Sequence, residues 1–504
     1  MDKVTITLEP LGKEITVNAG TPLIDILNEY GVEFPCGGRG TCGRCKVKLL
    51  AGELNPGAEQ LEKLRKLKLG SEWRLACYCR ADSDITLEVS EFESIILADN
   101  SEFDFIPRDG FGIAVDVGTT TVVIQLVNLF NGQVADSVSF LNRQAKFGAD
   151  LISRIQGCLD GSQDEMMSII RSDTGSVIND MLRRNKVDIT RVILVGNTVM
   201  HHIFSGLDVR PLSFYPFESP DLGVRYFSAT DLNWNLPGSP RILFYPSLGS
   251  FVGSDILAGI AATKMAEREE YTVLIDLGTN GEIVAGNKDR IVCASTAAGP
   301  AFEGARINQG MRAATGAISS VDWTDGNLKC HVIGNAKARG ICGSGLIDAI
   351  SILLQQDMIG IFGEFNSGDE RLELCPGVFL TQQDIREFQL AKAAVAAGLN
   401  ILVKRLNISF DQVDKVFIAG GFGNFLNLKN VIRTGLIKTS EDKIVKFGNT
   451  ALMGAKLFLF SVESDIRNIL EITEHVNLEG DPEFQDIYIE KMILQLEDDN
   501  PGNG

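Results

Sequence analysis

The sequence predicts a small α+β module at the N terminus, followed by a larger α/β region with two similar halves. Two observations support this division. Before residue 90, short alternating strands surround a loop that is rich in cysteine and glycine. Beyond residue 110, a buried strand that ends in Asp-x-Gly-Thr occurs twice, which is typical of a duplicated α/β fold.

Composition limits the classes of protein to which the chain can belong. Its 504 residues are 44% hydrophobic and 22% charged, which is enough for several domains with large cores. The net charge of −19 argues against nucleic acid and against an anionic membrane surface as partners. The sequence shows no apolar run of roughly 18 residues and no basic, apolar leader. We therefore expect a soluble, cytoplasmic protein.

The N-terminal module contains a loop with three cysteines at the spacing C-x5-C-x2-C. These are Cys36, Cys42 and Cys45, and Cys77 follows farther along the chain. The glycines of the loop permit tight turns and let backbone N–H groups approach the sulfur atoms. A compact triplet with one distant cysteine differs from the paired C-x-x-C motifs of a zinc ribbon. The pattern therefore favours a [2Fe–2S] cluster over structural zinc or disulfide bonds.

The flanking elements predict the fold of this module. Residues 4–8 and 15–17 alternate between apolar and polar side chains, which predicts a hairpin. Thr21 predicts the start of a helix. Further elements are expected at 46–50 (strand), 59–67 (helix) and 85–89 (strand). This order suits a β-grasp fold over residues 1–92, and the acidic, aperiodic stretch 93–110 is predicted to be a linker.

Beyond the linker, residues 112–123 predict a buried strand, a tight hairpin and a second strand. Asp116 ends the first strand. The hairpin that follows contains Gly118, Thr119, Thr120 and Thr121. A carboxylate at a strand end can hold the water shell of Mg²⁺, and N–H groups and hydroxyls can bind phosphate oxygens. A single run of this kind is also ordinary hairpin chemistry.

The same pattern recurs at Asp276, and the recurrence makes a phosphate-binding role more specific. The residues that follow in this second hairpin are Gly278, Thr279, Asn280 and Gly281. Two copies predict two similar halves that bind one nucleotide. A third loop follows another apolar strand and contains Gly420, Gly421, Phe422 and Gly423. Its glycines let the backbone approach an adenine and ribose closely.

The cysteine motif and the three loops each resemble a known family. The run C-G-G-R-G-T-C-G-R-C-K-V with a later R-L-A-C resembles the adrenodoxin/putidaredoxin-like ferredoxins. This resemblance implies a spare thiol at Cys79 and cluster ligands at Cys36, Cys42, Cys45 and Cys77. The three loops resemble the acetate kinase/sugar kinase/Hsp70/actin superfamily. That resemblance implies a two-lobed, actin-like/Hsp70-like ATPase with lobe 1 at 111–270, lobe 2 at 271–460 and a C-terminal segment at 461–504.

Nearly the whole chain resembles the reductive activators of corrinoid proteins. The stretches 142–154 (N-R-Q-A-K-F-G-A-D-L-I-S-R), 297–305 and 340–348 strengthen this resemblance. It implies ATP-dependent reduction of cob(II)alamin to cob(I)alamin in the corrinoid protein of a methyltransferase system, with a [2Fe–2S] cluster, ATP and Mg²⁺. It also implies a low-potential electron donor (a ferredoxin, flavodoxin or reductase) and leaves a homodimer open. The short linker is a departure, because such activators can carry an extra domain there.

Two positions each have a structural and a functional interpretation. Asp255 follows a Gly/Ser loop, at a chain position similar to that of the catalytic Asp in sugar kinases of the superfamily. It is either the group that orients the attacking water or a capping or first-turn residue of a helix. The loop 295–304 is either a buried turn or a surface that contacts the corrinoid partner through residues such as Ser295 and Phe302.

Three other functions match parts of the sequence. A small-molecule kinase of the same superfamily would leave the ferredoxin module without a role. An activator of 2-hydroxyacyl-CoA dehydratases would share ATP-driven electron transfer, but its [4Fe–4S] cluster at a subunit interface does not match the C-x5-C-x2-C spacing. A non-catalytic redox-sensing scaffold would have no need to keep both Asp116 and Asp276.

Overall fold

A computed structural model describes residues 2–27, 30, 32, 34, 36–40, 43, 45–67, 69–89, 105–278, 280–420 and 426–494. The chain divides into two compact units. Unit 1 comprises Met1–Ile96 and Asp109–Tyr245, and unit 2 comprises Leu97–Arg108 and Pro246–Gly504. Within the described residues, no helix combines the length and apolar character that crossing a bilayer requires.

The first part of unit 1 is a five-stranded sheet with two helices. Its elements are β1 (Lys3–Glu9), β2 (Lys13–Asn18), β3 (Thr21–Pro22), α1 (Ile24–Leu27), β4 (Lys46–Ala51), α2 (Ala58–Lys66), β5 (Trp73–Leu75), β6 (Arg80–Ala81) and β7 (Ile85–Glu88). The sheet order is β2-β1-β7-β4-β5, with β1 parallel to β7. The alternating apolar residues of the strands form a buried core with residues of both helices, as expected for the α+β module.

The predicted helix start at Thr21 is wrong. Thr21 and Pro22 form β3, which pairs antiparallel with β6. The Thr21 hydroxyl donates to the carbonyl oxygen of Asn18 (2.7 Å), and the helix α1 begins only at Ile24. The hydroxyl therefore closes the turn after β2, and strand pairing replaces the expected cap.

The second part of unit 1 is a six-stranded sheet with three helices. Its elements are β8 (Phe111–Val117), β9 (Thr121–Asn128), β10 (Val134–Leu141), α3 (Leu151–Gly157), α4 (Gln163–Asn185), β11 (Ile189–Val195), α5 (Thr198–Ser205), β12 (Arg225–Phe227) and β13 (Arg241–Phe244). The sheet order is β10-β9-β8-β11-β13-β12. Strand residues and apolar residues of α4 and α5 share one core.

In its described residues, unit 2 contains a second six-stranded sheet and two smaller sheets, one of three strands and one of two. Its elements are α6 (Ser254–Ala262), β14 (Tyr271–Leu277), β15 (Gly281–Gly286), β16 (Ile291–Thr296), β17 (Ala317–Thr324), β18 (Asn327–Val332), β19 (Gly340–Ile341), α7 (Gly343–Gln355), β20 (Arg371–Cys375), β21 (Val378–Thr381), α8 (Gln382–Arg405), β22 (Val413–Ala419), α9 (Leu428–Arg433), β23 (Ile444–Gly448), α10 (Thr450–Phe458), α11 (Glu463–Ile472), β24 (Thr473–His475) and α12 (Phe484–Lys491). The order of the large sheet is β23-β22-β14-β15-β16-β24.

The two six-stranded sheets share a topology, which explains the repeated sequence pattern. In each, an antiparallel meander of three strands (β8, β9, β10 or β14, β15, β16) is extended by two parallel strands (β11, β13 or β22, β23). The carboxyl ends of parallel strands meet at one edge of a sheet. Each Asp-x-Gly-Thr hairpin therefore lies at the same edge as the loop that follows the neighbouring parallel strand.

Helix α6 and the predicted C-terminal segment are part of unit 2. Helices α6 and α10 pack so closely that a Cβ on Gly454 would lie 2.1 Å from the backbone oxygen of Ala258. Strand β24 extends the large sheet beside β16, and α12 packs against α8. At the end of the predicted linker, Arg108 donates to the carbonyl oxygen of Phe460 (2.8 Å). Linker residues 93–104 lie outside the described part of the chain, and the domain boundaries stay predictions.

A buried histidine in unit 1 predicts sensitivity to acid. His201 in α5 is fully buried with its ring against Phe244, and burial lowers its pKa from 6.5 to about 3. Below pH 6.5 the unfolded chain gains a proton at His201 that the folded protein does not bind. Stability therefore falls as the pH drops from 6.5 towards 3, by up to about 1.4 kcal/mol per pH unit.

We expect His201→Phe to flatten this fall. The measurement is the thermal unfolding temperature as a function of pH, between neutral pH and about pH 5. An unaltered slope in His201→Phe would show that protonation elsewhere causes the acid sensitivity.

Candidate functional site

The predicted first phosphate loop, residues 116–121, closes the β8–β9 hairpin and is held by side chains from two other elements. Asp116 lies at the end of β8, where it is partly exposed. Asn142, just after β10, donates from Nδ2 to the carbonyl oxygen of Gly118 (2.9 Å). Asn197, the N-cap of α5, donates from Nδ2 to Thr119 Oγ1 (2.9 Å). These bonds hold the loop in place by contacts within the protein itself.

Arg154 also holds this loop, and sequence reasoning assigned it no role. Its guanidinium is fully buried and donates to the carbonyl oxygen of Thr119, to that of Gly148 (3.1 Å) and to Gln144 Oε1 (2.9 Å). Burial lowers the pKa of Arg154 to about 9. A charged residue on the apolar face of α3, beside Leu151, was the available signal in the sequence.

Three carboxylates gather at the second phosphate loop. Asp276 ends β14, Glu282 is its cross-strand partner on β15, and Asp255 comes from α6. Burial raises the pKa of Glu282 well above its usual value, and the charges of Asp255 and Asp276 raise it further. A divalent cation relieves such repulsion. Among the described residues, no group of three or more His, Cys, Asp or Glu side chains is arranged to hold a metal ion by itself.

Asp255 is a first-turn residue of α6 but not its cap. The N-cap position belongs to Gly253, and Asp255 Oδ1 accepts the N–H of Ile256 (2.8 Å). The structural interpretation is therefore right about the first turn and wrong about capping. Asp255 lies close enough to Glu282 for its charge to raise the pKa of that carboxyl group, as the charge of Asp276 does. The role of Asp255 in orienting water therefore stays a prediction.

The two hairpins differ in length and chemistry. Four residues separate the paired Val117 and Val122 in the first hairpin, whereas three separate Leu277 and Gly281 in the second. Counted from the aspartate, the position of Glu282 is occupied by Val122 in the first hairpin. The carboxylate cluster therefore belongs to the second copy of the repeat, and the strand register that creates it is not visible in the motif.

The glycine-rich third loop begins beside Asp276. Strand β22 runs parallel to β14, and Gly420 follows it with φ +86°. A Cβ on Gly420 would lie 2.9 Å from Asp276 Oδ1, so glycine satisfies both the backbone conformation and the space. Three predicted nucleotide contacts of this loop (Gly421, Phe422 and Gly423) and Thr279 of the second loop lie outside the described residues.

The cysteine loop brings three of its predicted ligands together. A hydrogen bond with Cys45 is the main cause of a lowered pKa at Cys77, and Cys36 is close enough to affect the same thiol. Cys79 is buried instead, with Sγ 3.7 Å from Gln60 Nε2, and burial raises its pKa. A lowered pKa favours the thiolate, the form that binds iron. Cys77 therefore lies with Cys45 and Cys36, whereas Cys79 packs against Gln60, and the assignment of Cys77 as the fourth ligand stays a prediction.

Tyr78 packs the cysteine loop against α2. Its hydroxyl lies 2.6 Å from Lys63 Nζ and 2.7 Å from Glu59 Oε1, and Lys63 also donates to the carbonyl oxygen of Gly40 (2.5 Å). Gly40 has φ +68°, and a Cβ there would lie 2.2 Å from the Tyr78 hydroxyl. Sequence reasoning did not assign these residues a role. The remaining predicted ligand, Cys42, lies outside the described residues.

Family models match the chain in the same order as these sites. A 2Fe-2S iron-sulfur cluster binding domain matches residues 6–82, and the RACo middle region matches residues 111–268. The C-terminal domain of RACo, an ASKHA domain, matches residues 270–502. The chain belongs to the RACo family. The predicted order of a ferredoxin module and an actin-like ATPase fold is thereby confirmed.

Individual relatives align with most of this RACo-family chain and not only with one of its domains. It is 29% identical to the corrinoid activation enzyme RamQ of Eubacterium limosum, over 97% of each chain. It is 27% identical to the [Co(II) methylated amine-specific corrinoid protein] reductase of Methanosarcina barkeri, over 75% of this chain and 76% of the relative. The solved structure of a reductive activator for a corrinoid, iron-sulfur protein covers 98% of this chain and 99% of its own, at 27% identity and a TM-score of 0.67.

The loop 295–304 of this RACo-family chain is largely buried. Thr296 Oγ1 donates to the carbonyl oxygen of Gly281 (3.0 Å). Phe302 is 2% exposed, and its ring meets that of Phe388 edge-on at 6.1 Å. The hypothesis that Phe302 contacts a partner is therefore wrong, because its side chain belongs to the core of unit 2. The partly buried Ser295 stays a predicted contact.

We expect Phe302→Ala to lower the free energy of unfolding by about 3–5 kcal/mol, through lost burial and the cavity left behind. Denaturant unfolding monitored by far-ultraviolet circular dichroism measures this change. Phe362→Ala removes the same ring from a site that is 68% exposed and serves as the control. If the two variants were equally stable, the Phe302 ring would not be part of the core.

Proposed function

We propose that this chain uses ATP hydrolysis to reduce cob(II)alamin in a corrinoid protein to cob(I)alamin, the form that accepts a methyl group in a methyltransferase system. The observation that carries the proposal is that one chain contains both a cysteine cluster and a carboxylate cluster. Cys36, Cys45 and Cys77 are neighbours in unit 1, and a carboxylate cluster lies on the repeated hairpin of unit 2. The similarity to RamQ over nearly the full length of both chains supports the substrate class.

The proposed catalytic carboxylates of unit 2 are Asp276 and Asp255. Mg²⁺ bound with ATP would supply the positive charge that neutralises the phosphate oxygens. Asp276, at the strand end, would hold a water of the ion, and Asp255 would orient the attacking water. The hairpin residues Gly278, Thr279, Asn280 and Gly281 would bind phosphate, and Gly420 to Gly423 would contact the adenosine.

In unit 1, Asp116 and the hairpin residues Gly118, Thr119, Thr120 and Thr121 form the other proposed phosphate loop. Asn197 Nδ2 donates to Thr119 Oγ1, so the hydroxyl of Thr119 is left with its own hydrogen to donate. A phosphate oxygen is a suitable acceptor. Asn142 and Arg154 hold the loop carbonyls and reduce the reorganisation that binding requires.

Cys36, Cys42, Cys45 and Cys77 would hold a [2Fe–2S] cluster, which supplies a one-electron carrier near −400 mV in plant-type ferredoxins. The glycines of the loop, Gly37, Gly38, Gly40 and Gly43, have positive φ angles. Such turns would let backbone N–H groups face the sulfur atoms. Lys63, bonded to Tyr78 and to the Gly40 carbonyl, places a positive charge beside the loop and favours an added electron. With a cluster bound, these cysteines would supply a one-electron carrier between a low-potential ferredoxin, flavodoxin or reductase and the cobalt of the partner.

ATP is needed in this proposal because cobalt(II) in a corrinoid is reduced only at a lower potential than the carrier supplies. Each tenfold shift of a one-electron equilibrium requires about 59 mV. ATP binding and hydrolysis would favour a complex in which the cobalt has lost its axial ligand and is more easily reduced. Such a shift requires two states of the protein with different contacts to the partner.

ATP hydrolysis with and without an oxidised corrinoid protein tests the proposal. We expect Mg²⁺-dependent hydrolysis that the cobalt(II) form of the partner stimulates. A small-molecule kinase would instead respond to a phosphate acceptor such as a sugar or carboxylate, and a scaffold would show no turnover. Either of these results would overturn the proposed function.

A further inference from the structure

One segment of unit 1 contacts both the first phosphate loop and the cysteine loop. It comprises residues 142–160, from the end of β10 to just beyond α3, and we call it the bridging segment. At one end, Asn142 donates its backbone N–H to the carbonyl oxygen of Thr120 (2.8 Å) and its Nδ2 to that of Gly118 (2.9 Å). The phosphate loop therefore cannot shift without moving the start of this segment.

The bridging segment contacts the cysteine loop at two places and the neighbouring helix α1 at a third. Gly37, next to Cys36, approaches it so closely that a Cβ there would lie 2.3 Å from the carbonyl oxygen of Phe147. Arg39 forms an ion pair with Asp160 (3.2 Å). The third contact joins Lys146 to Asp25 of α1 (3.7 Å). Gly37 leaves no room for a side chain against the backbone of Phe147, so the two segments are closely apposed there.

Arg154 connects these two ends. The same guanidinium donates to the carbonyl oxygen of Thr119 in the phosphate loop and to that of Gly148 (3.1 Å). Gly148 directly follows Phe147, whose carbonyl group faces Gly37. The guanidinium forms a third bond, to Gln144 Oε1 (2.9 Å), and so also holds the turn that precedes Phe147. A continuous connection therefore leads from Thr119 through Arg154 to Gly148, and along the backbone to Phe147, whose carbonyl oxygen lies beside Gly37.

The charge of Arg154 makes this connection sensitive to a bound anion. Its hydrogen-bond acceptors (the Thr119 and Gly148 carbonyls, Gln144 Oε1 and Met200 Sδ) are all neutral, and the guanidinium is fully buried. A buried cation without a hydrogen-bonded anion is costly. A phosphate at the first loop would attract the guanidinium and shift the carbonyls that it holds.

We propose that Arg154 is a positioning residue that transmits nucleotide occupancy at the first phosphate loop to the cysteine loop through the bridging segment. The proposal rests on the proposed function, because it needs a nucleotide at one loop and a cluster at the other. The two coupled sites are the phosphate loop and the cysteine loop. The element that has one position with nucleotide and another without it is Arg154, together with the carbonyl groups that it holds. The consequence is a cluster environment that changes when nucleotide binds.

The test is visible circular dichroism of the oxidised, cluster-loaded full-length protein before and after Mg-ADP, which measures the cluster environment without turnover. Calorimetric titration of Mg-ADP gives nucleotide affinity on the same samples. We expect Mg-ADP to change the wild-type spectrum. At saturating Mg-ADP, Arg154→Lys should lose most of the spectral change, because lysine has the charge without the fork that joins two carbonyls.

A charge exchange provides an independent test that leaves Arg154 intact. Asp160→Arg and Arg39→Asp should each reduce the spectral response, and the double variant should restore it. Asp164→Asn, an exposed carboxylate close by in α4, is the control and should behave as the wild type. If Arg154→Lys does not fold, the charge exchange decides the result by itself.

The outcomes separate this inference from the proposed function. A wild-type protein that binds Mg-ADP without any spectral change overturns the inference and leaves ATP-driven reduction standing. A full response in both Arg154→Lys and Asp160→Arg also overturns it. A wild-type protein that does not bind Mg-ADP contradicts the proposed function itself.

Discussion

Asp276→Asn is expected to lower Mg²⁺-dependent ATP hydrolysis by about 10²–10³-fold, the usual cost of removing one group that stabilises charge in a transition state. Asparagine keeps the size of the side chain but cannot offer a carboxylate to the ion. The reason to expect a large effect at this position is its place beside Glu282 and Asp255, where three carboxylates share one region. Steady-state phosphate release with excess Mg-ATP measures the effect.

The cluster provides an internal check on this variant. Dithionite should still reduce the protein to the wild-type extent, because Asp276 is not part of the cysteine loop. Asp289→Asn alters an exposed carboxylate in the turn after β15 and should hydrolyse ATP normally. Asp116→Asn tests the first hairpin in the same way. Wild-type turnover in both Asp116→Asn and Asp276→Asn would contradict the assignment of the two hairpins to phosphate.

Cys77→Ser is expected to abolish or distort the visible absorption of the [2Fe–2S] cluster, while Cys79→Ser should retain it. Cys77 adjoins Cys45 and Cys36 and has a lowered pKa, whereas the buried Cys79 contacts Gln60 and has a raised pKa. A serine at Cys79 can keep a hydrogen bond to Gln60, so its cost is confined to stability. Iron and acid-labile sulfide contents, measured with the absorption spectrum, detect the difference.

The adjacent position of these cysteines makes them matched controls for each other. Both variants replace one sulfur by oxygen, only two residues apart in sequence, and differ in the environment of the side chain. A bleached Cys79→Ser protein together with a normal Cys77→Ser protein would mean that the family resemblance misassigns the fourth ligand.

The repeated hairpin allowed the ATPase fold to be predicted from the sequence. Asp116 and Asp276 each follow an apolar strand, and the structure places both at the carboxyl edge of matching sheets. Local pattern is sufficient here because a strand end and a glycine turn are determined by neighbouring residues. The start of α1 is the counterexample, since pairing with β6 uses Thr21 as a strand residue.

The residues that sequence reasoning missed owe their positions to contacts between distant segments. Glu282 joins Asp276 through strand register, and Arg154 reaches Thr119 from a helix that follows another strand. Tyr78 binds Lys63 across the cysteine loop. Phe302 was misjudged for a related reason, because small residues around it in the sequence hide the aromatic partner that buries it. None of these contacts has a fixed spacing along the chain.

In the proposed function, ATP drives electron delivery from this chain to cobalt. Anaerobic spectroscopy tests this step on a corrinoid protein in its cobalt(II) state, mixed with this protein after dithionite reduction and removal of the excess reductant. With Mg-ATP, we expect loss of the cobalt(II) paramagnetic signal and growth of cob(I)alamin absorption, to at most one electron per reduced cluster. Without nucleotide, or with Asp276→Asn, both changes should be small. Equal rate and extent of cobalt reduction with and without Mg-ATP would show that ATP does not drive the transfer.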